Sequence, residues 1–252
     1  MNKKMYVNQS TLLAGMTLKD AQRMENNNMA FHVCETEAAV IENRQALADT
    51  LSIQLDQFVC ANQTHSANFY EVTKQDSGRG AYKIETEIKS TDALYTYEPN
   101  ILLCTFTADC VPVLFYHETT GVIGAIHSGW QGTVKEITKQ LFTHLIEVEQ
   151  HDPTDFHVYI GMALSQEKFE VDRDVYDQFL QLQYADEYMY KNEKTAKYHI
   201  DNQRTVKKQC MLTGIPEKNI IMDRTCTFQD DTGFSYREDK QTGRHVGFIM
   251  RK

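Results

Sequence analysis

The chain carries its most unusual chemistry in Thr105-Phe-Thr-Ala-Asp-Cys-Val-Pro-Val-Leu-Phe-Tyr116, continued by Gly121-Val-Ile-Gly-Ala-Ile-His-Ser-Gly-Trp-Gln-Gly132. Both runs are apolar and rich in β-branched residues, which favours buried strands. Asp109 and Cys110 interrupt the first run, and the second run delivers His127 into a glycine-flanked turn. An acid, a thiol and an imidazole at the breaks of buried strands indicate that two strands end at one pocket.

The remaining sequence alternates strands and helices without an internal repeat or a low-complexity linker. Helical periodicity predicts helices over 37–51, 134–149 and 202–213, the first capped by Thr36 and the last by Asp201. Pro112 cannot donate a hydrogen bond to a neighbouring strand, so we expect a bulge or a sheet edge just after Cys110. The pattern predicts one mixed α/β domain over residues 1–252.

Composition excludes several classes of protein. The 252 residues are 41% hydrophobic and 24% charged, with a net charge of −9, which argues against broad nucleic-acid or anionic-membrane binding. No apolar run approaches the ~20 residues of a membrane helix. Six scattered cysteines without a C-x-x-C pair are typical of a reduced, cytoplasmic protein. Dinucleotide-binding and P-loop glycine motifs are absent from the sequence.

The candidate site consists of three residues that each follow an apolar run: His65, Cys110 and His127. If the strand ends meet, two imidazoles and a thiolate form the ligand set of a catalytic zinc site with one open position. Their spacing matches no local metal motif, and the alternative is a buried cysteine that behaves as a small hydrophobe beside two structural histidines. The residues alone leave both interpretations open.

Several separate motifs in this chain occur in the order typical of one known family. The sequence resembles the YfiH family, the laccase-domain group once called polyphenol oxidases, in Gln63-Thr-His65, Ser90-Thr-Asp-Ala-Leu-Tyr95, Ala108-Asp-Cys-Val-Pro-Val-Leu114, His127-Ser-Gly-Trp-Gln-Gly132, Cys226-Thr227, Phe234-Ser-Tyr-Arg237 and Thr242-Gly-Arg244. One departure is Gln131, where the family frequently has arginine, and this change bears on phosphate affinity.

The resemblance implies both a fold and an activity. The fold is an α/β sandwich related to the catalytic domain of cytotoxic necrotizing factor. The activity is that of a zinc-containing purine nucleoside phosphorylase, which converts adenosine, inosine and methylthioadenosine to base and ribose 1-phosphate, and which also acts as an adenosine deaminase. The implied metal ligands are His65, Cys110 and His127, with copper as an alternative to zinc. The expected partners are a small nucleoside and phosphate, and no oligomeric state is predicted.

Further residues receive roles from this resemblance and from their surroundings. Asp109 is the nearest acid for proton transfer in deamination, provided that the chain turns it inward; otherwise it is a structural acid. Arg44, Arg237 and Arg244 are candidates for binding phosphate, and Gln63 for binding substrate. The free N–H groups of a helix after Gly132 are a further candidate for attracting an anion.

Other functions fit parts of the same pattern. Cys110 and His127 could serve as nucleophile and base of a metal-free hydrolase. Copper-dependent phenol oxidation also uses two histidines and a cysteine, although without the distant spacing seen here. A non-enzymatic role or the editing of cell-wall precursors is a further alternative.

Overall fold

The chain forms fourteen strands and five α-helices in a computed structural model that describes residues 1–252. The helices are α1 (Glu37–Leu51), α2 (Trp130–Val134), α3 (Ile137–Thr143), α4 (Arg173–Leu180) and α5 (Asn202–Leu212). The strands are β1 (Lys3–Asn8), β2 (Leu12–Thr17), β3 (Phe58–Val59), β4 (Phe69–Glu71), β5 (Ala93–Thr96), β6 (Leu102–Thr107), β7 (Val111–His117), β8 (Ile123–Ser128), β9 (Phe156–Ile160), β10 (Glu170–Val171), β11 (Met189–Lys191), β12 (Tyr198–Ile200), β13 (Ile220–Met222) and β14 (His245–Arg251).

The strands build two large sheets and one small one. The five-stranded sheet has the order β1–β2–β14–β6–β3, and the six-stranded sheet has the order β13–β9–β7–β8–β5–β4. The third sheet has the order β10–β12–β11. None of the helices combines the length and the apolar character that crossing a membrane requires.

The two large sheets pack face to face, and side-chain alternation explains why. In β6, Leu103 faces the other sheet, whereas Leu102 and Cys104 face α1. In β7, Leu114 faces the five-stranded sheet, whereas Phe115 joins the cluster that packs against α3 and α5. Because successive strand residues point to opposite faces, both strands are apolar on both sides. The result is the mixed α/β domain that the sequence pattern predicts, built as the sandwich that the family resemblance implies, with helices outside both sheets.

The predicted helices 37–51 and 202–213 are confirmed. The Thr36 hydroxyl accepts a hydrogen bond from the Ala39 N–H at 3.3 Å, and the Asp201 carboxylate accepts one from the Arg204 N–H at 3.0 Å. A side-chain acceptor at this position satisfies an N–H group that has no partner within the helix. Asp201 also forms a two-pronged ion pair with Arg224, at 2.9 and 2.7 Å.

The prediction of one helix over 134–149 is wrong in its bounds. The helical segment begins earlier, at Trp130, and is interrupted at Glu136, which has a left-handed φ of 59°. Helix α3 follows and ends in a wider helical turn, His144–Val148. A five-residue α2 has only a small dipole, so it gives little support to an anion site at its start.

The expectation of a bulge or sheet edge at Pro112 is also wrong. Pro112 lies in β7, a central strand, and pairs with His127 of β8 in regular register. The ladder between β7 and β9 begins only at Val113, so no strand partner requires the missing N–H group. Proline is therefore tolerated at the entry to a central strand.

The chain crosses from one large sheet to the other at residues 108–110. Strand β6 ends at Thr107 and β7 begins at Val111. Asp109 has a φ of 84°, which reverses the chain within this short connection. Cys110 therefore lies at a common end of the two sheets, next to the end of β8 that carries His127.

The start of β14 is fixed by a buried histidine. His245 is fully buried, its Nδ1 bonds to the Thr17 carbonyl at 2.7 Å, and its Nε2 accepts from the Phe234 N–H at 2.7 Å. This pair of bonds requires a neutral ring with the proton on Nδ1. Burial lowers the pKa of His245 to about 4.

Candidate metal centre and pocket

The structure brings His65, Cys110 and His127 together, with their ligand atoms all within 4.8 Å of one another. The Cys110 Sγ lies 3.8 Å from the His65 Nε2, and the two imidazole rings are 4.8 Å apart in an edge-to-face arrangement. His127 is buried, whereas His65 and Cys110 are partly exposed. Three remote segments of sequence therefore supply one cluster that solvent and small molecules can reach.

A buried carboxylate, Asp92, holds the turn that carries His65. Its oxygens accept hydrogen bonds from the N–H groups of Thr64, His65 and Ser66 at 3.1, 3.0 and 2.7 Å. His65 itself has a φ of 56°, in the left-handed region. Since such a conformation is strained for a residue with a side chain, the bonds to Asp92 stabilise it.

Asp92 also orients His127. The Nδ1 of His127 lies 2.9 Å from Asp92 Oδ1, which assigns the proton of a neutral ring to Nδ1 and leaves Nε2 free. A carboxylate behind a histidine is a common arrangement in metal sites, because it fixes the ring and increases its basicity. Asp92 thus positions two of the three candidate ligands.

The electrostatics favour a thiolate at Cys110. Burial alone would raise the pKa of the Cys110 thiol, but the adjoining imidazoles of His127 and His65 lower it to about 6. Burial would lower the pKa of His127, but the Cys110 sulfur and the Asp92 carboxylate raise it to about 9. Burial would raise the pKa of Asp92, but hydrogen bonds from His127 and Ser66 lower it to about 2.

The donor set fits a soft or borderline divalent metal. Zinc binds imidazole nitrogen and thiolate sulfur at distances that place neighbouring ligand atoms about 3.6 Å apart in a tetrahedron. The separation of 3.8 Å between Cys110 and His65 agrees with this value. Copper accepts the same ligand types, whereas magnesium and calcium prefer oxygen.

A cavity of about 820 Å³ opens over this cluster. One wall is largely apolar, and another carries polar side chains, most of which come from the segment between β3 and β5. The apolar wall comprises Trp130, Leu164, Phe169, Val171 and Val175, and the polar wall includes His32, Asn62, Gln63, Glu87 and Thr107. The charged residues Asp172, Asp174, Arg237 and Arg244 also line the cavity. Its size and mixed lining are those of a small-molecule site.

Asp109 lines the pocket, but its carboxylate already has two protein partners. One oxygen accepts from the Thr227 hydroxyl at 2.6 Å, and the other accepts from the Arg237 N–H at 2.6 Å. These bonds fasten the C-terminal segment to the connection between the two sheets. Of the two roles considered for Asp109, the structural one therefore accounts for its contacts.

The three candidate arginines occupy different environments. Arg44 is 1% exposed and does not line the pocket; its guanidinium donates to the carbonyls of Met29, Gly80 and Ala81. Arg237 lines the pocket while donating to two backbone carbonyls, and Arg244 donates to two others next to it in sequence. Arg44 is therefore corrected as a candidate for binding phosphate, because its side chain is buried away from the cavity.

Gln63 lines the pocket, and its amide is used locally. It donates to the Phe106 carbonyl at 2.8 Å and accepts from the Phe106 N–H at 2.7 Å, as a neighbouring strand would. No functional role was predicted for His32, Trp130, Asp92 or Glu87, although His32, Trp130 and Glu87 line the cavity. Only Asp92 left a sequence signal, an acid directly before the apolar strand β5.

The sequence of this chain is similar to a known protein family and to individual proteins over nearly its whole length. A family profile described as multi-copper polyphenol oxidoreductase laccase matches residues 15–252. The purine nucleoside phosphorylase YlmD of Bacillus subtilis is 33% identical over 251 residues, which cover 97% of this chain and 90% of that protein.

Two solved structures share the architecture. The hypothetical protein YfiH of Bacillus licheniformis superposes with a TM-score of 0.91 and 30% identity, over 98% of this chain and 99% of that one. YlmD of Geobacillus stearothermophilus gives a TM-score of 0.89 and 31% identity, over 96% of this chain and 93% of that one. These proteins share the sandwich over nearly their whole length.

Proposed function

The chain belongs to the multi-copper polyphenol oxidoreductase laccase family, and from that membership and its site we propose that it is a zinc-dependent purine nucleoside phosphorylase. The observation that carries the proposal is the cluster of His65, Cys110 and His127 at an open cavity of about 820 Å³. The name of the Bacillus subtilis relative supports the choice of reaction. Adenosine deamination is the second activity proposed for the same site.

The walls of the cavity agree with the parts of a nucleoside. A purine is flat and largely apolar, so it matches the wall formed by Trp130, Phe169 and Val175. Phosphate requires cationic donors, which Arg244 and Arg237 supply in place of the buried Arg44. A zinc ion held by the three ligands would supply a Lewis acid beside the bound substrate.

The residues around the three metal ligands orient the ligands, shield the base from water and hold the pocket wall in place. Asp92 holds the His127 proton at Nδ1 and keeps the His65 turn in place. Trp130 and Leu164 exclude water from the base, which strengthens polar interactions inside the pocket. Asp109 keeps the segment with Arg237 against the pocket. Asp92 and Asp109 thus act by positioning other groups, before substrate enters.

The test combines metal analysis with product analysis. Purified protein should contain about one zinc per chain, and adenosine with phosphate should yield adenine and ribose 1-phosphate. Cys110→Ala should lose both metal and turnover, whereas Cys34→Ala, which alters another partly exposed cysteine that does not line the pocket, should retain them. Retention of metal and turnover in Cys110→Ala would refute the assignment.

The same measurements distinguish the rival functions. Turnover by metal-free wild-type protein that is lost in Cys110→Ala would indicate a cysteine hydrolase, for which the lowered pKa of Cys110 is the supporting feature. Copper-dependent oxidation of phenols without nucleoside cleavage would indicate an oxidase. Either result would replace the phosphorylase proposal.

A further inference from the structure

Glu87 is an acid in the pocket wall that has no partner for its carboxylate. It is 6% exposed and lines the cavity. Its backbone is fixed, because its N–H donates to the Ile84 carbonyl at 3.1 Å and its carbonyl accepts from Arg79 at 3.3 Å. The charges that act on its carboxylate are those of Arg44 and Glu85, and no hydrogen bond contributes.

An unpaired buried acid is costly, so a structural role would normally include a partner. Burial raises the pKa of Glu87 to about 7, although the nearby Arg44 opposes this. Arg44 forms no ion pair with Glu87: its Nε and Nη1 donate to the carbonyls of Met29, Gly80 and Ala81, and its buried Nη2 has no hydrogen-bond partner. The charge of Arg44 compensates part of the cost of burying Glu87, but the carboxylate has no hydrogen-bond partner within the protein, and a ligand with free donors would supply one.

The neighbourhood of Glu87 determines which part of a nucleoside it can meet. The polar wall that carries Glu87 comes from segments 61–63, 84–87 and 106–107 and also includes Ala61, Ile84 and Phe106. The apolar wall comes from Trp130, Leu164 and the region of β10 and α4, which adds the exposed acids Asp172 and Asp174. The flat base prefers the apolar wall. Gln63 has its amide bonded to Phe106, so Glu87 is the free anionic acceptor of the polar wall. Phosphate is excluded from Glu87 because both are anions.

We propose that Glu87 accepts hydrogen bonds from the 2′- and 3′-hydroxyl groups of the substrate's ribose and so selects ribonucleosides over deoxynucleosides. A carboxylate offers two oxygens with about four acceptor sites, which matches two neighbouring hydroxyl donors. This inference rests on the proposed phosphorylase function and adds a residue that determines sugar specificity.

The experiment compares adenosine, 2′-deoxyadenosine and 3′-deoxyadenosine with saturating phosphate in wild type, Glu87→Gln and the control Glu85→Gln. Glu85 lies on the same turn, is exposed and does not line the cavity. In wild type, kcat/KM should be at least about tenfold higher for adenosine than for either deoxy analogue. Glu87→Gln should lower kcat/KM roughly tenfold for adenosine and by a smaller factor, about threefold, for each deoxy analogue, which keeps one of the two hydroxyl groups. Glu85→Gln should match wild type.

The possible outcomes separate the two proposals. Glu87→Gln removes a buried charge without changing size, so its thermal midpoint at pH 8 should equal or exceed that of wild type, and a folded variant is expected. An active wild type that does not discriminate between the sugars, or a Glu87→Gln variant that keeps the wild-type preference, overturns the role of Glu87 alone. A wild type that cleaves no nucleoside overturns the phosphorylase proposal and this inference together.

Discussion

Replacing Gly129 by alanine should weaken metal binding while leaving the fold intact. Gly129 precedes α2 with a φ of −65°, a conformation that alanine adopts without strain. A Cβ atom here would lie 2.6 Å from the His65 Cδ2 and 2.9 Å from the Cys110 Sγ. The added methyl group therefore collides with two of the three candidate ligands, His65 and Cys110.

The size of the effect follows from these distances. Ordinary contacts between carbon atoms begin near 3.5 Å, so the His65 ring must move by roughly 0.9 Å. Metal–ligand distances tolerate only about 0.2 Å, so the displaced ligands bind the ion with poorer geometry. Disturbing the support of a metal ligand typically costs 10–100-fold in affinity, or about 1.4–2.8 kcal/mol, and we expect a loss at the upper end of this range.

Gly132→Ala is the matched control for this substitution. A Cβ at Gly132, three residues further on, has its nearest neighbours at 3.4–3.5 Å, which is ordinary packing. Zinc affinity is measured by competition with a chromophoric chelator, and folding by thermal unfolding of the metal-free protein. Gly129→Ala should lose affinity without a lower unfolding midpoint, and Gly132→Ala should keep both. Equal zinc affinity in the two variants would refute the proposed ligand set.

Three further experiments test the roles assigned to individual polar side chains. Arg44→Ala should destabilise the fold by about 3 kcal/mol or more without changing KM for phosphate, whereas Arg244→Ala should raise that KM roughly tenfold at an unchanged unfolding midpoint. His245 has a pKa near 6.5 in the unfolded chain but about 4 in the folded state, so the unfolded chain binds the proton first as the pH falls. The free energy of unfolding should therefore be highest above pH 6.5 and fall by about 3 kcal/mol as the pH drops to 4. Urea titrations of His245→Gln should lack this pH-dependent loss. Asp201→Ala should cost about 1 kcal/mol more than Asp201→Asn in denaturant unfolding, because asparagine still caps α5 while both variants lose the ion pair with Arg224.

The elements that could be predicted from sequence are those with local causes. Thr36 and Asp201 mark helix starts through a bond to a backbone N–H three residues on, and strands β6, β7 and β8 are recognisable by their apolar runs. Glu136 shows where this reasoning fails. The apolar stripe continues past it, but its left-handed backbone divides the helix, and nothing in the periodicity of the sequence indicates such a break.

The candidate arginines show a second limit, which concerns access to the pocket. Arg44 lies on a helix stripe, where its periodicity is compatible with either a buried or a half-exposed side chain. In the structure its guanidinium lies over the aromatic rings of Phe31 and Phe106 and donates to backbone carbonyls. Arg244 carries no such pattern and yet lines the cavity. Which arginine reaches a ligand depends on loop paths, and loop paths leave no periodic signal.

Asp92 shows most clearly what sequence reasoning lacks at this site. It directly precedes β5, whose antiparallel register with β8 pairs Ala93 with Ile126. One step along this register places Asp92 opposite His127, and the His127 N–H donates to the Asp92 carbonyl at 2.7 Å. Knowledge of that single strand pairing would have predicted the contact between carboxylate and imidazole. Asp92, which is not itself a candidate metal ligand, therefore organises the ligand cluster, and it can do so because β5 pairs with β8.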